Sequence, residues 1–153
     1  MTDGSSLKDY TILIVDDDLV FLEMVEGLLE MIGVRNVMRA SSGAFAIEAI
    51  KESQRVIDCV ICDCRMHDVN GLQLLKDVRM GGFKQLRPDS CFILLTSATE
   101  PEIVKIAKQL DVSGYLLKPV TVEKLEAAIT KARARVFPLD FRKYGAVLVP
   151  SAL

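Results

Sequence analysis

Five short strand-like runs, each followed by residues at helical spacing, constrain this chain more than any other feature. The runs lie near 11–16, 36–40, 56–62, 91–95 and 115–117. After the first, Leu19, Phe21, Leu22, Val25, Leu28, Leu29 and Ile32 recur at helix spacing, and Gly33 is a helix stop. Ala44, Phe45, Ile47 and Ile50 predict a second helix over about 43–53. Gly71 precedes a third, carrying Leu72, Leu74, Leu75 and Val78 and ended by Gly81-Gly82. Pro101 sits in the first turn of a fourth, where its missing N–H costs little. Thr121 starts the fifth, which reaches about Arg135. Strands alternating with helices predict an α/β fold: a doubly wound, five-stranded parallel sheet with five helices.

Four of the runs end in chemically pointed residues. Ile12-Leu13-Ile14-Val15 runs into Asp16-Asp17-Asp18, and Cys59-Val60-Ile61-Cys62 into Asp63. Cys91-Phe92-Ile93-Leu94-Leu95 ends in Thr96-Ser97, and Tyr115-Leu116-Leu117 in Lys118-Pro119. In an open parallel sheet these ends share one edge, and ligands bind there.

The 153 residues suggest one domain. Half are apolar and 26% are charged, as in an ordinary soluble protein, and the net charge of −2 advertises no basic face for nucleic acid or anionic lipid. The apolar runs are far too short to span a membrane. Met1 to Ser6 lack the basic-then-apolar pattern of a secretory signal, so a cytoplasmic location is expected. Four cysteines, Cys59, Cys62, Cys64 and Cys91, then read as small buried hydrophobes. The alternative is a metal site from Cys62, Cys64 and His67, but the spacing is not a standard zinc pattern.

Asp16, Asp17 and Asp63 would crowd three negative charges at one edge, which disfavours joint ionisation unless a cation sits among them. Oxygen donors with room for water and a phosphate oxygen suit Mg²⁺. A carboxylate beside the metal can then attack a phosphoryl group and become an acyl phosphate. The Lys118 ammonium and the Thr96 hydroxyl are the right groups to answer charge on the transferred oxygens.

Over residues 9–135 the sequence resembles the receiver domain of two-component response regulators, of the chemotaxis-receiver kind. The likeness rests on Ile14-Val15-Asp16-Asp17-Asp18, on Asp63 with Met66 and Gly71, on Leu95-Thr96-Ser97, and on Gly114-Tyr115-Leu116-Leu117-Lys118-Pro119. It implies a flavodoxin-like strand order, 2-1-3-4-5, with Asp63 as phosphoacceptor. It implies Mg²⁺ held by Asp17, Asp63 and the Arg65 carbonyl, with Asp16 acting mostly through water. Thr96 would move toward the phosphoryl group, Tyr115 would turn inward behind it, and Lys118 would pair with it across a cis Lys118-Pro119 bond. The phosphoryl group would come from a sensor histidine kinase or a histidine phosphotransfer protein. Such a chain is a signalling switch that catalyses its own phosphorylation and dephosphorylation, not a turnover enzyme. Its output face would be the fourth helix, fifth strand and fifth helix, open to a protein target or a second copy, with no direct nucleic-acid or membrane contact. One departure is His67, which stands where the family usually has proline.

A haloacid-dehalogenase-like phosphatase with Asp16 as nucleophile is the alternative, since Asp16-x-Asp18-x-Val20 follows an apolar strand. It lacks a later acidic strand end and leaves Asp63 and Met66 unexplained. A degenerate receiver used only for interaction is disfavoured by the complete set of acids, hydroxyl and lysine.

Residues 1–8 read as a tail and 136–153 as an apolar extension. Eighteen residues hold no effector domain, so a stand-alone receiver, or one cut from a longer regulator, is expected. Leu139, Phe141, Tyr144, Val147, Leu148 and Val149 are too apolar for a solvated linker. The extension is therefore expected to dock, on the domain's own surface, the nearest being beside the last helix, or on a second copy.

Overall fold

The computed structural model describes residues 4–153, so Met1, Thr2 and Asp3 of the expected tail lie outside the described residues. Strands β1 (Thr11–Val15), β2 (Asn36–Ala40), β3 (Cys59–Cys62), β4 (Cys91–Thr96) and β5 (Gly114–Leu117) form one parallel sheet in the order β2-β1-β3-β4-β5. The helices are α1 (Leu19–Ile32), α2 (Gly43–Glu52), α3 (Gly71–Arg79), α4 (Pro101–Gln109), α5 (Val122–Ala134) and α6 (Phe141–Ala146), the last beyond the five expected. A 3₁₀ helix, Gly4–Asp9, precedes β1, and its Leu7 is buried rather than trailing in solvent.

The two-residue period of the strands divides the core. Ile12, Ile14, Ile61, Ile93 and Leu95 face α1 and α5, meeting Leu22, Val25, Leu29, Leu125 and Ile129. Leu13, Val15, Val60, Phe92 and Leu94 face the other way, onto Ala46, Ile50, Leu72, Leu75 and Ala107. Helices cover both faces, which is why the central strands read as unbroken apolar runs. β3 starts three residues later than expected: Val56 is exposed, and the Asp58 carboxylate takes the Thr11 N–H at 2.8 Å that a longer ladder would have used.

Local signals set the helix ends. Asp18, Ser42 and Thr121 cap α1, α2 and α5, while Asn70 and Gln73 form a capping box on α3. Gly33 closes α1 at φ 109°, a left-handed conformation that glycine adopts without strain.

The extension does dock, but not beside α5. α6 packs on α3, with Tyr144 fully buried, and Val147 enters the core on the α2–α3–α4 side of the sheet. The Tyr144 hydroxyl donates to Asp111 Oδ2 at 2.7 Å, and Lys143 Nζ to the same oxygen at 3.0 Å. Further on, Lys76 Nζ donates to the Val147 carbonyl at 2.8 Å. The residue that anchors α6, Asp111, follows α4 rather than α5, which sets the extension on the α3 side of the sheet.

Candidate functional site

Register brings the strand ends together. Val15 pairs with Cys62, Cys62 with Leu94, and Thr96 with Leu117. The ladder continues one residue past the strands, with Asp63 N–H donating to the Val15 carbonyl and Lys118 N–H to the Thr96 carbonyl. Asp16, Asp17, Asp63, Thr96 and Lys118 therefore meet at one sheet edge. The β3–α3 turn is tight: a Cβ on Gly71 would stand 2.2 Å from the Asp63 carbonyl oxygen, so only glycine fits.

Lys118 lies between two of the acids. Its Nζ donates to Asp16 Oδ2 at 2.7 Å and to Asp63 Oδ2 at 3.3 Å, and sits 4.1 Å from the centre of the Phe21 ring. Burial alone would depress the lysine pKa. Its bond to Asp16 and the charges of Asp63 and Asp16 outweigh that and hold it above the ordinary value. Burial raises the pKa of Asp16, with the Asp63 charge adding to it, against the bonds from Lys118 and from the Asp18 N–H. Asp16, Asp17 and Asp63 each offer an oxygen within 4.8 Å of the others. Three carboxylates against one ammonium leave an excess of negative charge, and the donors are all oxygen, so the residues fit Mg²⁺.

Thr96 is buried, and its Oγ1 accepts the Ala98 N–H at 3.2 Å. Tyr115 donates its hydroxyl to the Ala98 carbonyl at 2.8 Å, and burial raises its pKa. Cys64 sits against both side chains, and burial pushes its thiol up to about 11 despite hydrogen bonds with Tyr115 and Thr96. Arg65 points outward, pairing with Glu100 at 2.6 Å.

The rival sites do not assemble. Cys62 and Cys64 are buried whereas the His67 side chain is fully exposed, and among the described residues the candidate metal group contains neither thiol nor imidazole. His67 instead comes within 3.8 Å of Asp17. Asp18, the second acid of the phosphatase motif, spends its carboxylate on the Val20 and Phe21 N–H groups of α1. The Lys118-Pro119 peptide is cis.

Sequence reasoning missed Phe21, Asp68 and Asn70. Phe21 reads as an ordinary core aromatic, yet it carries the lysine. Asp68 accepts the Gly43 and Ala44 N–H groups at 3.1 and 2.9 Å, tying the β3–α3 loop to α2. Asn70 caps α3 and also donates to the Pro150 carbonyl at 2.8 Å.

A family model described as the response regulator receiver domain matches residues 12–130. Transcriptional regulatory protein ZraR of Escherichia coli O157:H7 is 34% identical over 129 residues, 84% of this chain but 27% of that protein. This chain thus spans about a quarter of such relatives. Chemotaxis protein CheY-3 of Vibrio cholerae is 30% identical over 84% of this chain and 95% of its own length. Among solved structures, a response regulator receiver domain protein from Clostridium thermocellum superposes with a TM-score of 0.71 at 30% identity, covering 81% of this chain and 94% of that one. Chemotaxis protein CheY4 of Vibrio cholerae gives 0.71 at 28% identity, over 80% and 98%.

Proposed function

The chain belongs to the response regulator receiver domain family, and from that premise we propose that it is a switch phosphorylated on Asp63. The observation that carries this reading is Lys118 Nζ reaching Asp16 and Asp63 together, with Thr96 and Tyr115 on the strands alongside. The donor is a sensor histidine kinase or a histidine phosphotransfer protein. An Asp63 oxygen attacks phosphorus, the donor's nitrogen leaves with the bonding electrons, and an acyl phosphate forms. Asp16, Asp17, Asp63 and the Arg65 carbonyl would hold Mg²⁺, which compensates charge on the transferred oxygens. Lys118 exchanges its Asp63 partner for a phosphoryl oxygen. Thr96 moves toward another, and Tyr115, already bound to Ala98, fills the space behind it.

The phosphoryl group adds roughly −1.5 to −2 charge, enough to bias two arrangements of this face. A cleft lined by Val104, Lys108, Tyr115, Lys131 and Arg135, between α4, β5 and α5, supports that face as the output surface. A protein target or a second copy of the chain would dock there. No helix among the described residues is long and apolar enough to cross a membrane.

The test is intact mass after incubation with Mg²⁺ and a small acyl phosphate. The expected result is one added phosphoryl group, lost in chelator and in Asp63→Asn. Phosphorylation of Asp63→Asn at the unsubstituted rate would transfer the nucleophile's role to Asp16.

A further inference from the structure

Beyond α6 the chain runs along α3 toward the phosphoacceptor loop and ends its described path there. Its anchors are spaced along the whole segment. Tyr144 and Val147 are buried, and Val149 and Leu153 pack against the core. Lys76 holds the Val147 carbonyl, Asn70 the Pro150 carbonyl, and Arg65 Nε the Leu153 carbonyl at 3.2 Å. Asn70 and Arg65 both belong to the β3–α3 connection that follows Asp63. Ser151, Ala152 and Leu153 form one wall of a cleft whose other wall includes Asp17, Arg65 and His67.

We propose that residues 147–153 are a strap that positions the β3–α3 loop for Mg²⁺, so that strap docking and metal binding reinforce each other. The inference rests on the metal reading given above. Arg65 links the strap to the donor set. Its carbonyl belongs to the donor set, while its guanidinium is held outward by Leu153 and Glu100. Holding the side chain fixes the peptide that carries the carbonyl. It also keeps a cation away from three carboxylates on the adjacent strand ends, where a released guanidinium would compete with the metal. Both effects have the same sign: losing the strap weakens Mg²⁺ binding. Linkage then requires the converse, that Mg²⁺ tightens the strap by the same factor.

The experiment measures Mg²⁺ affinity by backbone amide chemical shifts at Asp17 and Asp63, in the full chain and after deletion of residues 150–153. That deletion keeps Tyr144, Val147 and Val149, so the core packing of α6 remains. Deletion is expected to weaken Mg²⁺ roughly fivefold or more, the lower end of ordinary coupling between sites. In an Arg65→Met background the same deletion should weaken Mg²⁺ much less, because the Arg65–Leu153 contact is already gone and only the Asn70–Pro150 bond is left to lose. Equal weakening in both backgrounds would mean that the segment acts through general stability, and would overturn the proposal. So would an unchanged affinity after deletion, which leaves the proposed function standing. A full-length protein that shows no Mg²⁺-dependent shifts at Asp17 and Asp63 would overturn the metal reading and the strap with it.

Discussion

Asp17 is the least compensated of the three clustered acids. Lys118 bonds Asp16 and Asp63, whereas the ion-pair partner of Asp17 among the described residues is the fully exposed imidazole of His67, 3.8 Å away. Without metal, Asp17 therefore adds repulsion with little return, a cost tolerated where function needs it. Asp17→Ala should stabilise the metal-free protein by about 1 kcal/mol and abolish its stabilisation by Mg²⁺. Urea melts in chelator and in Mg²⁺ check both halves. A midpoint in chelator below that of the unsubstituted protein would contradict the repulsion argument. Asp16 would behave differently, because it is buried and held by Lys118 and by the Asp18 N–H.

α6 stays in place through a contact that is open to acid. Asp111 stands at φ 50°, a conformation short polar side chains tolerate, and its carboxylate takes the Tyr144 hydroxyl and the Lys143 ammonium. Burial pushes its pKa up, but the Tyr144 and Lys143 bonds and the Lys143 and Arg135 charges outweigh that and hold it below 3.8. A pKa lowered by folding contributes stability that is complete above the unfolded value and drains away as pH falls through the folded one. The α6 contact should therefore loosen only below about pH 4. Tyr144→Phe, which removes one of the bonds, should loosen it at neutral pH by about 1 kcal/mol. Hydrogen exchange in residues 141–149 reads both effects, and protection unchanged in Tyr144→Phe would show that packing alone holds the helix.

At the sheet edge opposite the site, Arg79 binds separate parts of the chain into one unit. From the end of α3 its guanidinium donates to the Pro88 and Ser90 carbonyls at 2.8 and 2.9 Å, before β4. It also reaches the Leu110 and Asp111 carbonyls and Ser113 Oγ, before β5. The group is fully buried, which lowers its pKa to about 10, and it lies 4.9 Å from the Phe137 ring at the start of the extension. Arg79→Met keeps the volume but leaves these carbonyls without their donor. It should cost about 3 kcal/mol, as for a buried hydrogen-bonded charge. Because the contacts lie far from Asp63, phosphorylation of the folded fraction should persist. Loss of phosphorylation with unchanged urea stability would show that Arg79 acts on the site.

The sheet and the site were legible because their causes are local. Short apolar runs mark the strands, caps fix the helix ends, and a parallel sheet carries every strand's C-terminal residue to the same edge. Asp16, Asp63, Thr96 and Lys118 had only to be read as strand ends. Arg79 was not legible: a basic residue in the last turn of a helix reads as a surface complement to the helix dipole. Nor were the path of α6 over α3, or the capture of Pro150 and Leu153 by Asn70 and Arg65. Most of these contacts end on backbone carbonyls, which are chemically alike at every position, and join residues well separated in the chain. Which carbonyl a guanidinium or an amide finds is fixed by packing in three dimensions, and side-chain chemistry along the sequence holds no record of that choice.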